Sequence, residues 1–347
     1  MREQLLAAKQ YQAIEWREDG LFVLDARELP EQFDWLQVLS VQQAVEAIAG
    51  GVVIEGSVLG LLAAYALVLE ARSHAGLIDW NLLQGCVAQF DALGLDHAAF
   101  DWALARMEEA FFRAQDSAEP LLVLESTASA LQDSDREANL VLAQYGLETI
   151  RRHRSGAEVI VTHGYGGAMA SAGVGTSLAV VRAAEVHGLV EHVFACEARP
   201  RPEIGRLAAW ELADFGVPVS SVTDTAVAHL MKVAGVTWVV VPARRIAANG
   251  DVIADIGTYQ LAINAMHHGV RFMVVASTAC IDLSLDNADG YGLQAEDDEG
   301  ESIEGLLALG FDVTPVDLID YIVTERGVIE RPDTDKIAHV LCRKRLH

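Results

Sequence analysis

Residues able to do chemistry collect in the loops that follow short β-branched runs. The run ending at Thr162 leads into His163-Gly164-Tyr165-Gly166-Gly167, which sets an imidazole and a phenol among glycines. Both side chains can carry a proton to or from a bound molecule, and glycines before a helix let backbone N–H groups approach an anion. Later loops bring Cys196-Glu197-Ala198-Arg199-Pro200, Thr223-Asp224, Pro242-Ala243-Arg244-Arg245 and the turn signal Asn249-Gly250-Asp251. Ile256-Gly257-Thr258-Tyr259 then opens a predicted helix. Charged groups that follow successive strands of one sheet converge on one edge, so a polar small-molecule pocket is expected there.

Spacing excludes several chemistries. A dinucleotide fingerprint needs a third glycine where Met169 stands, and Gly173-Val174-Gly175 fails in the same way at Leu178. No HExxH, GxSxG or Walker A pattern occurs. The cysteines Cys86, Cys196, Cys280 and Cys342 are scattered without ligand spacing and read as structural thiols of a reducing compartment. Neither a cofactor nor a metal is expected. A formal net charge of -25 argues against nucleic acid and anionic membrane as partners, since both require a cationic face. The acidic run Glu296-Asp297-Asp298-Glu299 with Glu301 reads as a solvated loop. The apolar stretch 56–69, bracketed by Glu55 and Glu70, is too short to span a bilayer and reads as a buried helix. The opening residues carry no secretory pattern, so a cytoplasmic location is expected.

The elements that must position these loops fall into two regimes, as 347 residues suggest. Residues 1–125 read as a small, mainly helical domain with a short β start at Leu21-Phe22-Val23-Leu24. Val41, Val45 and Ile48, and later Phe100, Leu104, Met107 and Phe111, recur at helical spacing. Residues 126–347 read as an α/β domain. Ser134 and Glu137 have capping-box spacing ahead of a helix to about Arg152. Then Val159-Ile160-Val161, Val193-Phe194-Ala195, the run 219–222, Val239-Val240-Val241 and the run 272–275 alternate with helical stretches. That rhythm signals an open, mostly parallel sheet.

The same loops resemble methylthioribose-1-phosphate isomerases. The resemblance is carried by Thr162-His163, Gly167-Ala168, Ala172-Gly173, Gly175-Thr176, Arg206-Leu207, Ala209-Trp210-Glu211-Leu212, the block from Arg245 to Asp251, the stretch from Ile256 to Tyr259, and Ile281-Asp282-Leu283-Ser284-Leu285. Leu24-Asp25, Leu29-Pro30, Ala63-Ala64-Tyr65 and the tail from Phe311 to Pro315 extend it over nearly the whole chain. The wider family includes ribose-1,5-bisphosphate isomerases and regulatory subunits of translation initiation factor 2B. The resemblance implies a Rossmann-like second domain that carries the pocket and joins a homodimer. It also implies a reaction in which an aldose 1-phosphate opens and isomerises to a ketose.

In that family a cysteine after the strand-end histidine and an aspartate before the Arg-Ile-Ala-Ala-Asn-Gly-Asp block carry the chemistry. Their positions here are Gly164 and Arg244. Glycine is neither acid, base nor nucleophile, and a guanidinium stays protonated. The substrate-binding positions diverge too: an arginine turn falls on Ile54-Glu55-Gly56-Ser57, a second arginine falls near Gly94, an Asn-Lys pair becomes Ala254-Asp255, and a glutamine becomes Glu203. A carboxylate about 5 Å from a phosphate costs about 3 kcal/mol at an effective dielectric near 20.

The expectation is therefore a divergent, pseudoenzyme-like member without the parent isomerisation. Its pocket of Glu55, Tyr165, Gly166, Gly167, Arg199, Glu203, Arg244 and Asp255 would take a different small molecule, one lacking a phosphate dianion and partly cationic. No residue is assigned a catalytic role, and His163 and Tyr165 are the candidates for moving a proton. Whether the ligand is transformed or only sensed stays open. The alternatives are a non-catalytic structural or regulatory subunit and a retained aldose-1-phosphate isomerase.

Overall fold

The computed structural model describes residues 2–6, 12–74, 80–115, 117–154, 156–289, 291 and 309–342. The acidic run from Glu296 to Glu301 lies outside them. The chain forms two compact units, one of Leu6–Glu137 with Ala168–Gly175, the other of Met1–Leu5, Ala138–Gly167 and Thr176–His347. The expected division at 125/126 falls inside one helix.

After a short helix α1 (Arg2–Leu6), the first unit opens with an antiparallel sheet of β1 (Ile14–Arg17), β2 (Gly20–Leu24) and β3 (Trp35–Val38). Four helices follow among the described residues: α2 (Val41–Ala49), α3 (Ser57–Ser73), α4 (Trp80–Asp91) and α5 (Ala98–Ala114). Ser40 caps α2 by accepting from the Gln43 amide. Helix α3 is buried without interruption from Val58 to Leu69, which explains an apolar run with no polar face. Gly60 lets α5 approach closely, since a Cβ there would lie 2.7 Å from that of Ala103. Among the described residues, no helix is long and apolar enough to cross a membrane.

Helix α6 (Pro120–Arg152) is continuous, so Ser134 lies within a helix and does not start one. Its earlier hydroxyls do not interrupt it either: Ser126 and Thr127 donate back to the Val123 carbonyl, which satisfies them inside the helix.

The second unit is α/β with a mostly parallel sheet. Its strands are β4 (Glu158–Thr162), β5 (Val190–Glu197), β6 (Val219–Thr223) and β7 (Trp238–Val241). Next in the chain come the short β8 (Arg245–Ala247) and β9 (Val252–Asp255), then β10 (Arg271–Val275), β11 (Ile281–Asp282), β12 (Phe311–Thr314), β13 (Tyr321–Thr324) and β14 (Gly327–Glu330). The large sheet has the order β14-β13-β10-β7-β4-β5-β6, and all its neighbours pair in parallel except β13 with β14. Helices α7 (Ser177–Val186), α8 (Pro202–Phe215), α9 (Val227–Val233) and α10 (Thr258–His268) alternate with these strands, and α11 (Thr334–Cys342) ends the described chain. Strands β4 and β7 are buried at every residue, as strands covered on both faces must be. A second sheet of order β11-β8-β9-β12 carries Asp255 at the end of β9.

Chain order runs outward from β4 to β6 on one side and from β7 to β13 on the other. The switch therefore falls between β4 and β7, and a crevice opens outside the carboxyl ends of parallel strands at such a point.

Candidate functional site

A cleft of about 290 Å³, counting space open to solvent, lies beside that crevice, lined by His163 and Gly164 after β4, by Cys196, residues 198–201, Ile204 and Gly205 around the β5–α8 corner, and by Asp255, Ile256 and Gly310. His163 is buried and donates from Nε2 to the Ile256 carbonyl at 2.8 Å, so the ring ties the β4 end to the β9–α10 corner. Asp255 is the electrostatic centre. Its Oδ1 accepts from Arg201 Nη2 at 3.0 Å and lies 4.0 Å from Arg244 Nη1. Arg244 is held in turn over the Phe311 ring, 4.9 Å from its centroid.

The other Asp255 oxygen faces Gly164. A Cβ at 164 would sit 2.5 Å from Asp255 Oδ2 and 3.5 Å from Pro242 Cγ. Gly164 also has φ +69°, a conformation that costs residues with a Cβ about 1 kcal/mol or more. Conformation and space thus both disfavour a side chain at 164 while Asp255 keeps its pairing.

Cys196 is the thiol in this cleft, and burial, reinforced by Asp224, pushes it up to about 12. It stays protonated at neutral pH and cannot serve as a thiolate nucleophile. Asp312 closes another avenue. It accepts from the Gly257 amide at 2.8 Å and the Tyr259 amide at 3.1 Å, so a carboxylate already occupies the N-terminus of α10. Burial pushes Asp312 up to about 6 against the pull of those amides.

The glycine loop differs from the expected anion cradle. Ala168–Ala170 is a buried 3-10 turn, and the next α-helix starts only at Ser177. The Gly166 carbonyl accepts from the Thr176 amide at 2.7 Å, and a Cβ on Gly166 would overlap the Ser177 hydroxyl. A Cβ on Gly167 would overlap the Glu211 carboxylate. These glycines serve close packing. Tyr165 is turned inward as well: its phenol donates to Glu211, whose other oxygen lies 3.3 Å from Arg182, and both charged side chains are fully buried. A phenol committed to a buried carboxylate is not presented to the cleft.

Residues 97–331 match the profile of the Initiation factor 2 subunit family. The chain belongs to this family. Methylthioribose-1-phosphate isomerases of Pseudomonas fluorescens and Ectopseudomonas mendocina are 50% and 49% identical to it, each over 100% of both chains. The solved 5-methylthioribose 1-phosphate isomerase of Pyrococcus horikoshii is 27% identical, with a TM-score of 0.85 over 98% of each chain. Translation initiation factor eIF-2B subunit delta from A. fulgidus is 26% identical, with a TM-score of 0.79 over 95% of this chain and 99% of that one.

Within this family member, the residues singled out in sequence scatter unevenly. His163, Gly164, Arg199 and Asp255 line the cleft, and Arg244 reaches it through Asp255. Glu203 is exposed on the first turn of α8, outside the lining. Glu55 belongs to the first unit, half-buried just ahead of α3. Thr223-Asp224 leads to a narrow surface depression lined by Asp224, His163, Cys196, Gln260 and Asn264 among others. The Asn249-Gly250-Asp251 turn is a structural hub: buried Asp251 accepts from Asn249 and from the Ala288 and Val316 amides. Arg201 was not singled out in sequence, although the repeated Arg-Pro of Arg199-Pro200-Arg201-Pro202 marks it. Because Asp255 already faces two guanidinium groups, it is no open acceptor for the partly cationic ligand expected from sequence.

Proposed function

We propose that this chain is a methylthioribose-1-phosphate isomerase-like protein that no longer interconverts aldose and ketose 1-phosphates and holds a different small molecule in its cleft. One observation carries the reading: the Asp255 carboxylate, paired with Arg201, fills the space that a side chain at position 164 would enter. The reacting cysteine expected from the family belongs at 164 and the acidic partner at 244. Glycine and a guanidinium supply no nucleophile, acid or base there. Gly164 and Arg244 both adjoin Asp255, so the divergent positions read as one concerted rearrangement and not as scattered decay. In this reading the protein works in the cytoplasm as a homodimer, which light scattering of the purified chain would test.

The experiment is an isomerase assay with methylthioribose 1-phosphate, following the ketose. Expected is no product above the blank at a protein concentration at which the Pseudomonas fluorescens relative converts the substrate fully. Turnover comparable to that relative overturns the proposal. It would establish the second reading, a retained isomerase, which is favoured by 50% identity over the full length.

A further inference from the structure

The cleft is asymmetric in charge. Arg199 and Arg201 line it, Arg244 adjoins it through Asp255, and Asp255 is the carboxylate in the lining. Arg201 and Arg244 are drawn to Asp255, but Arg199 is not. It is exposed at the rim, and among the described residues no carboxylate pairs with it. Apart from His163 and Cys196, the remaining lining is apolar or backbone, from Gly164, Ala198, Pro200, Ile204, Gly205, Ile256 and Gly310.

We infer that this cleft takes a small monocarboxylate, its carboxylate docked on Arg199 beside Arg201 and its apolar body against Ile204 and Ile256. The inference rests on the proposed loss of sugar-phosphate chemistry and names what replaces the phosphate. Guanidinium groups present planar, paired N–H donors that match a carboxylate. Asp255 decides between anions, because a fixed negative charge repels a dianion twice as strongly as a monoanion at the same distance. The N-terminus of α10 gives a phosphate no help, since Asp312 already takes its amides. The cleft is shallow and open to solvent, so a ligand there keeps part of its body in water.

The test is thermal unfolding of the full chain at constant ionic strength with acetate, butyrate and 4-methylpentanoate, with 4-methylpentanamide and inorganic phosphate as controls. A binder of the folded state raises Tm with concentration. Expected is a rise that grows from acetate to 4-methylpentanoate, is absent with the neutral amide, and is weaker with phosphate. In Arg199→Ala, an exposed change that leaves the core intact, the 4-methylpentanoate affinity should fall about tenfold or more, as for loss of a charge-assisted contact. No rise with any carboxylate, an equal rise with the amide, a stronger rise with phosphate, or an unchanged response in Arg199→Ala would each overturn the inference. The same preparations are assayed for turnover of methylthioribose 1-phosphate. Turnover refutes the proposed function, whereas the melting series alone decides on the carboxylate.

Discussion

Around Glu211, Tyr165 and Arg182 meet a carboxylate from which water is wholly excluded; around Asp255, Arg201 and Arg244 meet one whose side chain is 23% exposed. Both clusters belong to the same unit and join an acid to arginine. They differ in what surrounds them. At Glu211 each charge must be satisfied by protein, because an unpaired buried ion costs several kcal/mol. At Asp255 water shares the solvation, so the residues are open to exchange. A partly solvated charge cluster tolerates change at a single position, and a sealed one does not.

Breaking the sealed cluster should have the largest effect. Glu211→Ala removes the carboxylate that the buried Arg182 guanidinium and Tyr165 hydroxyl meet, so a loss of about 3–5 kcal/mol is expected in equilibrium urea unfolding. A loss below about 1 kcal/mol, the range of exposed pairs, would erase the distinction between the two clusters.

Asp312 stands between these extremes and can be separated by pH. Its folded pKa, pushed up to about 6 by burial, lies above the ordinary 3.8, so the folded state binds the proton more tightly than the unfolded chain. The stability this group contributes is fully present below about pH 4 and is lost as pH rises through about 6. Relative to Asp312→Asn, the wild-type chain should therefore lose up to about 3 kcal/mol between pH 4 and 7 and stay level above that, a pKa unit being worth about 1.4 kcal/mol. A difference that is flat across this window would mean that the carboxylate at the α10 N-terminus is as well solvated as a surface acid.

How much of this was readable from residue order depended on range. The five strand segments of the large sheet singled out by β-branched runs, and the helices of the first unit marked by local periodicity, are each present. Capping-box spacing at Ser134 and Glu137 predicts a helix start that continuous α6 does not have, because such spacing recurs by chance inside a long helix, where only continuity of the hydrogen-bond ladder distinguishes it. The site was legible as a set of loops at strand ends. The direction of each side chain was not. Nothing local says that Tyr165 turns to Glu211, 46 positions away, or that Arg201 reaches Asp255, 54 positions away. Gly166 and Gly167 looked like an anion cradle because sequence shows the missing Cβ but not the neighbour that needs its space.

The smallest effect gives the sharpest resolution, because it asks whether Gly164 and Asp255 form one unit. Gly164→Ala should cost about 1–3 kcal/mol, part from a left-handed backbone and part from overlap with Asp255 Oδ2. Asp255→Ser alone should cost about 1 kcal/mol or less, since the pair with Arg201 is about a quarter exposed on each side. In the double variant the overlap is gone and only the backbone contribution remains, so a double-mutant cycle should return a favourable coupling of about 0.5–1.5 kcal/mol. The same change at Gly167, where the neighbour is sealed Glu211, should not be rescued by Glu211→Ser, because relief of overlap would remove the buried carboxylate beside Arg182. Strict additivity at Gly164 would mean that Asp255 swings aside at no cost, and the two clusters would then differ in burial without differing in how tightly each fixes the glycine beside it.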